Sequence, residues 1–198
     1  MDLAKASSSD FCLNSLDINC TGDRVAVGGN QGKVHIYDEM SEKKDYLMTL
    51  KPGGSKLPGH SKRIFAVKFD RTNDSIVYSG GWDDAVYISD LRARGSAVAV
   101  APCPHVCGES IDVVENLLVA GSYRNSKNLL LFDLRNPINV LQYLEMDAKL
   151  SQSEQHMSDC MIYAAQFNKS MLESRIKMLA AGGSGARNEV RFFEAHSA

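Results

Sequence analysis

The stretch "YSGGWDDAVYISDLR", residues 78–92, sets a hydrophobic run before a Gly-Gly-Trp-Asp-Asp turn and an alternating run after it. Short apolar runs bounded by Gly and Asp are hairpin grammar, in which each run is a strand and the turn joins the two antiparallel. Two placements within it are unusual. The chain's only tryptophan, Trp82, stands in the turn, and a small hydroxyl, Ser89, precedes the aspartate that closes the second strand.

The same grammar recurs along the chain. "RVAVGGNQGKVHIYD" covers 24–38, "SIVYSGGWDDAVYISD" 75–90, "NLLVAGSYRNSKNLLLFD" 116–133 and "KMLAAGGSGARNEVRFFE" 177–194. Ahead of each pair stands another strand-like run, "LDIN", "IFAVKF", "SIDVV" and "MIYAAQF". Behind the first three comes a fourth, "DYLMTL", "SAVAVA" and "INVLQYL". Each unit reads as a four-stranded antiparallel meander, with almost no helical signal. The acidic ends Asp38, Asp90, Asp133 and Glu194 are 52, 43 and 61 positions apart. A four-stranded unit repeating every roughly 40–45 residues marks a propeller blade, so the longer intervals require insertions. "KPGGSKLPGHS" and "DAKLSQSEQHMSD" are turn-rich or polar, as such loops must be.

Composition sets outer limits on function. With 198 residues, 44% hydrophobic and 23% charged, the chain has ordinary globular make-up and enough length to bury a core. A formal net charge of -2 and a pI near 6.2 lack the footprint of a protein that binds nucleic acid or anionic membrane non-specifically. The first ten residues, MDLAKASSSD, form a polar tail without the apolar core of a signal peptide, and no run approaches bilayer length. Five scattered cysteines, Cys12, Cys20, Cys103, Cys107 and Cys160, read as reduced thiols. Together these predict an intracellular protein, cytoplasmic or nuclear, with no membrane partner.

Signals for chemistry are weak. No nucleophile elbow, phosphate-binding loop or HExxH helix occurs, so no catalytic residue and no cofactor are assigned. "GGSGARN" is glycine-rich but joins two strands, without the helix whose N-terminus would hold a phosphate. "CPHVC" raises metal or thiol chemistry at Cys103, His105 and Cys107 as a remote alternative. Structural zinc takes about four ligands and no second pair stands at a suitable spacing, so the Pro-containing segment reads as a connector and no metal is expected.

In these repeats the chain resembles the WD-repeat β-propeller family. Gly59-His60 matches the dipeptide that opens a repeat, Asp83 matches the turn aspartate, and Tyr37-Asp38, Ser89-Asp90, Phe132-Asp133 and Phe193-Glu194 occupy the Trp-Asp site. The resemblance extends from Phe11 to Glu194. It implies an all-β chain of about four blades where the family usually closes with about seven, and hence an open or incomplete arc. The units expected are 11–50, 60–101, 105–144 and 159–195, behind the tail 1–10. Such an arc is the C-terminal part of a longer propeller, a short isoform or fragment, or a module that needs a partner, and its end blades would be free to self-associate.

The resemblance also assigns roles. Family members commonly link a His, a strand Ser or Thr, the turn Asp and the strand Trp by hydrogen bonds; here His60, Ser79 and Asp83 take those places, and Ser89 shortens the network. Trp82 falls on the rim beside the loops that join blades. There it is either a binding anchor or a plug over the neighbouring blade. With Tyr123, Arg124 and Arg187 from the corresponding turns it would form an aromatic and basic patch for an acidic or aromatic peptide; ordinary solvated turns are the competing reading. At the other rim "SDLR" and "FDLR" put Arg92 and Arg135 at equivalent positions. That ending resembles the adaptor-docking box of cullin-RING ubiquitin ligase substrate receptors, although Ser89 and Phe132 replace its preferred aromatic. A surface arginine paired with a nearby carboxylate is the plainer reading. The function expected is that of a non-catalytic protein-interaction scaffold, its partner proteins or peptides unnamed, with the ligase substrate receptor as the alternative.

Overall fold

In the computed structural model, residues 11–41, 48–50, 57, 59–93, 97–103, 105–124, 127–144, 146, 160–169, 176–185 and 188–196 are described. The first sheet is built from β1 (Leu13–Ile18), β2 (Arg24–Gly29), β3 (Val34–Asp38) and β4 (Met48–Leu50). The second contains β5 (Ile64–Phe69), β6 (Ile76–Gly81), β7 (Ala85–Asp90) and β8 (Ala97–Pro102), with a 3-10 turn at Leu91–Ala93. The third contains β9 (Ile111–Val114), β10 (Leu117–Gly121), β11 (Leu129–Asp133) and β12 (Val140–Leu144). The fourth contains β13 (Cys160–Phe167), β14 (Ile176–Gly185) and β15 (Glu189–His196). Strand order within every sheet follows the chain, and every pairing is antiparallel. The meanders expected from sequence are thus present. The run expected as "LDIN" begins earlier, at Leu13, and β15 continues past Glu194 to His196. The two proposed insertions lie almost wholly outside the described residues.

Successive sheets meet through their first strands: β1 packs on β5, β5 on β9 and β9 on β13. What allows this contact is a glycine near the end of each second strand. A Cβ on Gly28 would stand 2.7 Å from Ile64 Cγ2, one on Gly80 2.4 Å from Ile111 Cδ1, and one on Gly121 2.3 Å from Ile162 Cγ2. Three times a missing side chain admits the isoleucine near the start of the next sheet. Hydrogen bonds reinforce the seam, because a first strand has no backbone partner on its inner edge. Asp17 accepts from the Phe69 amide at 2.8 Å, Ser15 from Val67 at 3.2 Å, and Asp112 from Phe167 at 2.9 Å.

Three apolar cores fill the seams. One gathers Ala26, Ile36, Ile64 and Phe69, the next Val86, Ile88, Ile111 and Phe132, the third Leu129, Leu131, Ile162 and Leu179. Strands of the two middle sheets are therefore covered on both faces and read as near-continuous apolar runs, as β7, β10 and β11 do. The end sheets are covered on one face only. Leu16 and Ile18 are exposed on β1, and Val190 and Phe192 on β15, the last at 74%. Among the described residues no extensive contact joins the first sheet to the fourth. The chain is an all-β arc of four propeller-type sheets. No helix among the described residues is long and apolar enough to cross a membrane.

This packing separates two glycines at equivalent places in neighbouring sheets. Gly121→Ala is expected to destabilise the chain by about 1–3 kcal/mol, since its methyl would strike a β-branched carbon that has nowhere to move. Gly182→Ala, on the open face with Val190 Cγ2 at 3.3 Å, is expected to change stability by less than about 0.5 kcal/mol. Urea unfolding of the two variants checks the pair.

Candidate functional site

The second sheet is stiffened from within. His60 lies just ahead of β5, Ser79 on β6 and Asp83 in the β6–β7 turn. His60 Nδ1 is 2.8 and 3.0 Å from the two Asp83 oxygens, and Nε2 is 2.8 Å from Ser79 Oγ. Asp83 also accepts from the Ser61 amide at 3.0 Å. In the tautomer whose Nδ1–H donates to the Asp83 carboxylate, Nε2 accepts from the Ser79 hydroxyl, and all three side chains are buried. Ser89 is also buried, on β7 beside a bulge against β8. The aromatic ring that meets His60 comes instead from Tyr87, edge-on at 4.5 Å, a contact the sequence reading missed. By strand register the places equivalent to Ser79 in the other sheets hold Val27, Ala120 and Ala181. These side chains cannot carry the same hydroxyl link.

One rim is defined by the β2–β3, β6–β7 and β10–β11 turns together with the segments entering β5, β9 and β13. Main-chain bonds tie these pieces in succession: Trp82 N to Arg63 O, Val106 N to Gly81 O, Tyr123 N to His105 O and Ile162 N to Ser122 O. On this frame Trp82 tilts against Phe65, centroids 5.1 Å apart, and stacks on His105 at 6.3 Å. Trp82 therefore bridges the second sheet and the segment entering the third, while 37% of it stays exposed. Asp84, at a positive φ of 60°, turns its carboxylate to His105 Nδ1 at 2.7 Å and to Arg124 at 3.2 Å. Tyr123 meets Tyr163 of β13 edge-on at 5.2 Å. Burial pushes the Asp84 carboxyl up, but its hydrogen bonds with His105, then the Arg124 charge, outweigh that and hold it below the ordinary carboxylate range.

Trp82, Tyr123 and Arg124 thus come together with Phe65, Asp84, His105 and Tyr163, which the sequence reading did not place there. Arg187 lies outside the described residues. The other rim holds Arg92 and Arg135, each folded back on the aspartate two residues before it. Arg92 grips Asp90 at 2.8–3.3 Å, and Arg135 makes the same paired contact with Asp133. Both carboxyls are held low by these arginines. Their pairing is present above the ordinary carboxylate range and is lost as pH falls through the lowered pKa, and in such exposed positions it adds little stability.

Cys103, His105 and Cys107 do not converge on a ligand site, and no metal-binding group of three occurs among the described residues. Cys103 is fully buried in the core between the second and third sheets, where burial pushes its thiol up to about 12. His105 turns its Nδ1 to Asp84 instead. Of the cysteines, Cys12, Cys20, Cys103 and Cys107 are free thiols.

The family "WD domain, G-beta repeat" matches residues 52–90, the span that carries the His60, Ser79 and Asp83 network. Residues 52–90 thus match a WD repeat. It is 32% identical over 117 residues to "Meiotic fizzy-related protein 1" of Schizosaccharomyces pombe, covering 58% of this chain and 24% of that protein. It is 24% identical over 178 residues to "Cell division cycle 20.1, cofactor of APC complex" of Arabidopsis thaliana, covering 89% of this chain and 34% of that one. A chain in a crystal structure of the mitotic checkpoint complex superposes with a TM-score of 0.70 at 19% identity, over 94% of this chain and 49% of that chain. The chain thus spans about a quarter to a third of those two relatives' length and half of the solved neighbour. The WD-repeat family is generally non-catalytic.

Two outcomes test the site's construction. Asp83→Ala strands a buried imidazole and is expected to cost about 3 kcal/mol, whereas Ser79→Ala removes one neutral hydrogen bond and is expected to cost about 1 kcal/mol; chemical denaturation distinguishes them. Iodoacetamide at pH 8 is expected to label Cys12 and leave Cys103 unlabelled until the chain unfolds, read by peptide mass spectrometry. Labelling of both at equal rates in the folded chain contradicts the buried, protonated thiol.

Proposed function

We propose that this WD-repeat chain is a non-catalytic scaffold for protein interaction, an intracellular one, and that its partner surface is the rim carrying Trp82, Tyr123 and Arg124. The carrying observation is the main-chain relay from Arg63 to Trp82, from Gly81 to Val106, from His105 to Tyr123 and from Ser122 to Ile162. It fixes side chains from three sheets on one rigid edge, and an anchor already ordered before binding loses little entropy on complex formation. Trp82 suits an anchor because its face is backed by Phe65 and His105 while its free edge remains exposed. Arg187, which lies outside the described residues, is proposed as a further contributor to the same patch. The units 11–50, 60–101, 105–144 and 159–195 are proposed as the repeats that carry it, and the exposed faces of the end sheets as a secondary route to self-association.

Support comes also from the relatives, one named as a cofactor of the APC complex and the solved neighbour belonging to a checkpoint complex; both names describe multi-chain assemblies. Docking through Arg92 and Arg135 is less favoured, since both guanidiniums are already closed on Asp90 and Asp133. Thiol or metal chemistry at Cys103 is opposed by the protonated, buried state of that sulfur.

Selection of a random peptide library on the immobilised chain tests the proposal. Selected peptides are expected to lose at least about tenfold in affinity, about 1.4 kcal/mol, to Trp82→Ala/Arg124→Ala, and to bind Arg92→Ala/Arg135→Ala unchanged. Peptides insensitive to the first pair overturn the rim assignment.

A further inference from the structure

Both rims carry paired cations, but the upper one also carries a run of cations without a carboxylate partner among the described residues. On the lower one, Arg92 and Arg135 hold their own aspartates, Lys169 lies 3.2 Å from Asp112, and Lys177 lies 2.7 Å from Glu115. Each of these cations is neutralised inside the chain. On the upper rim Lys62 and Arg63 are exposed, in the segment that enters β5, and neither has a carboxylate partner among the described residues. Lys33, in the β2–β3 turn, reaches only the Gln31 amide oxygen at 3.5 Å, and Lys127, in the β10–β11 turn, lies over the Tyr143 ring at 5.0 Å.

These groups belong to one continuous edge. A Cβ on Gly32 would stand 3.0 Å from the Lys62 carbonyl oxygen, so the turn carrying Lys33 abuts the segment carrying Lys62, and the Arg63 carbonyl accepts the Trp82 amide. From the first sheet to the third the edge therefore runs Lys33, Lys62, Arg63, Trp82, Lys127, with Phe65 beneath the indole. Among the described residues two exposed carboxylates lie along it: Asp84, already bonded to His105 and Arg124, and Glu109 in the segment entering β9, 3.6 Å from Lys68. Unpaired cations spaced around an aromatic anchor attract a chain that carries carboxylates at intervals and an apolar side chain between them.

We propose that the partner segment is an acidic peptide, laid along this edge with an apolar or aromatic residue against Trp82 and carboxylates facing Lys62 and Arg63. The inference rests on the scaffold reading above and adds the chemistry of the occupant. A protein segment is favoured over nucleic acid because the chain's formal net charge is -2 and Asp84 sits in the middle of the edge, where a continuous phosphate backbone would meet it.

The test uses the full chain and a fluorescein-labelled peptide of about twelve residues alternating Glu and Tyr, a length that extends to about 40 Å. The same peptide with Lys for Glu and a single-stranded DNA oligonucleotide of equal charge serve as controls. Fluorescence anisotropy is expected to show binding of the acidic peptide that weakens as ionic strength rises. Lys62→Glu/Arg63→Glu is expected to reduce it at least about tenfold, while Arg92→Ala/Arg135→Ala leaves it unchanged. Both pairs are exposed, and thermal melting verifies that the variants fold. Equal binding of the lysine peptide, tighter binding of the DNA, or indifference to Lys62→Glu/Arg63→Glu overturns the proposal. The two readings fail separately: library peptides that need Trp82 yet carry no acidic residues leave the scaffold rim standing and remove the acidic occupant.

Discussion

Everything in this chain hangs on how closely one sheet approaches the next. Gly28, Gly80 and Gly121 leave the space that Ile64, Ile111 and Ile162 enter. Van der Waals attraction and burial then act over the whole face of each middle sheet. Because the same substitution of nothing for a side chain is repeated three times, each seam adds a similar turn and the sheets form an arc instead of a stack. The aspartates reaching from β1 and β9 to amides of the following sheet hold the inner edges in register, where backbone groups would otherwise lack partners.

That spacing also makes the rim. Turns belonging to one sheet land against the entry segment of its neighbour, so residues far apart in sequence become adjacent without either strand bending. Asp84 and Arg124 are forty positions apart and share an ion pair; Trp82 and His105 stack across a sheet boundary. The hydrogen-bonded core of the second sheet contributes indirectly. By anchoring the β6–β7 turn through Asp83 and His60, it fixes the backbone on which Trp82 and Asp84 stand. Buried and exposed side chains are thus neighbours in one turn, with Asp83 facing in and Trp82 and Asp84 facing out.

Much of the architecture was legible in the chain itself. Alternation, turn residues and a recurring unit length are local properties, and strand pairing in a meander needs only neighbouring segments. The His60, Ser79 and Asp83 set was legible because one repeat keeps the family's residue types at the family's places. Less legible was the aromatic partner of His60. Ser89 marks a vacancy in the pattern, but nothing in a one-dimensional string says that Tyr87 two residues earlier turns its ring edge to the imidazole. His105 invited a ligand reading because two cysteines flank it, whereas folding sends Cys103 into a core and His105 to the rim.

By itself the sequence determined the class of structure: all-β, four repeated units, antiparallel meanders, and which repeat carries a polar network. These follow from periodicity and turn chemistry, which act over a few residues. Only the tertiary structure decided which turns touch and that Trp82 is braced by Phe65 and His105. It likewise decided that Lys62 and Arg63 stand without a carboxylate among the described residues. Those outcomes depend on the angle and distance between sheets, set jointly by glycines and isoleucines dozens of residues apart, and no local pattern encodes them.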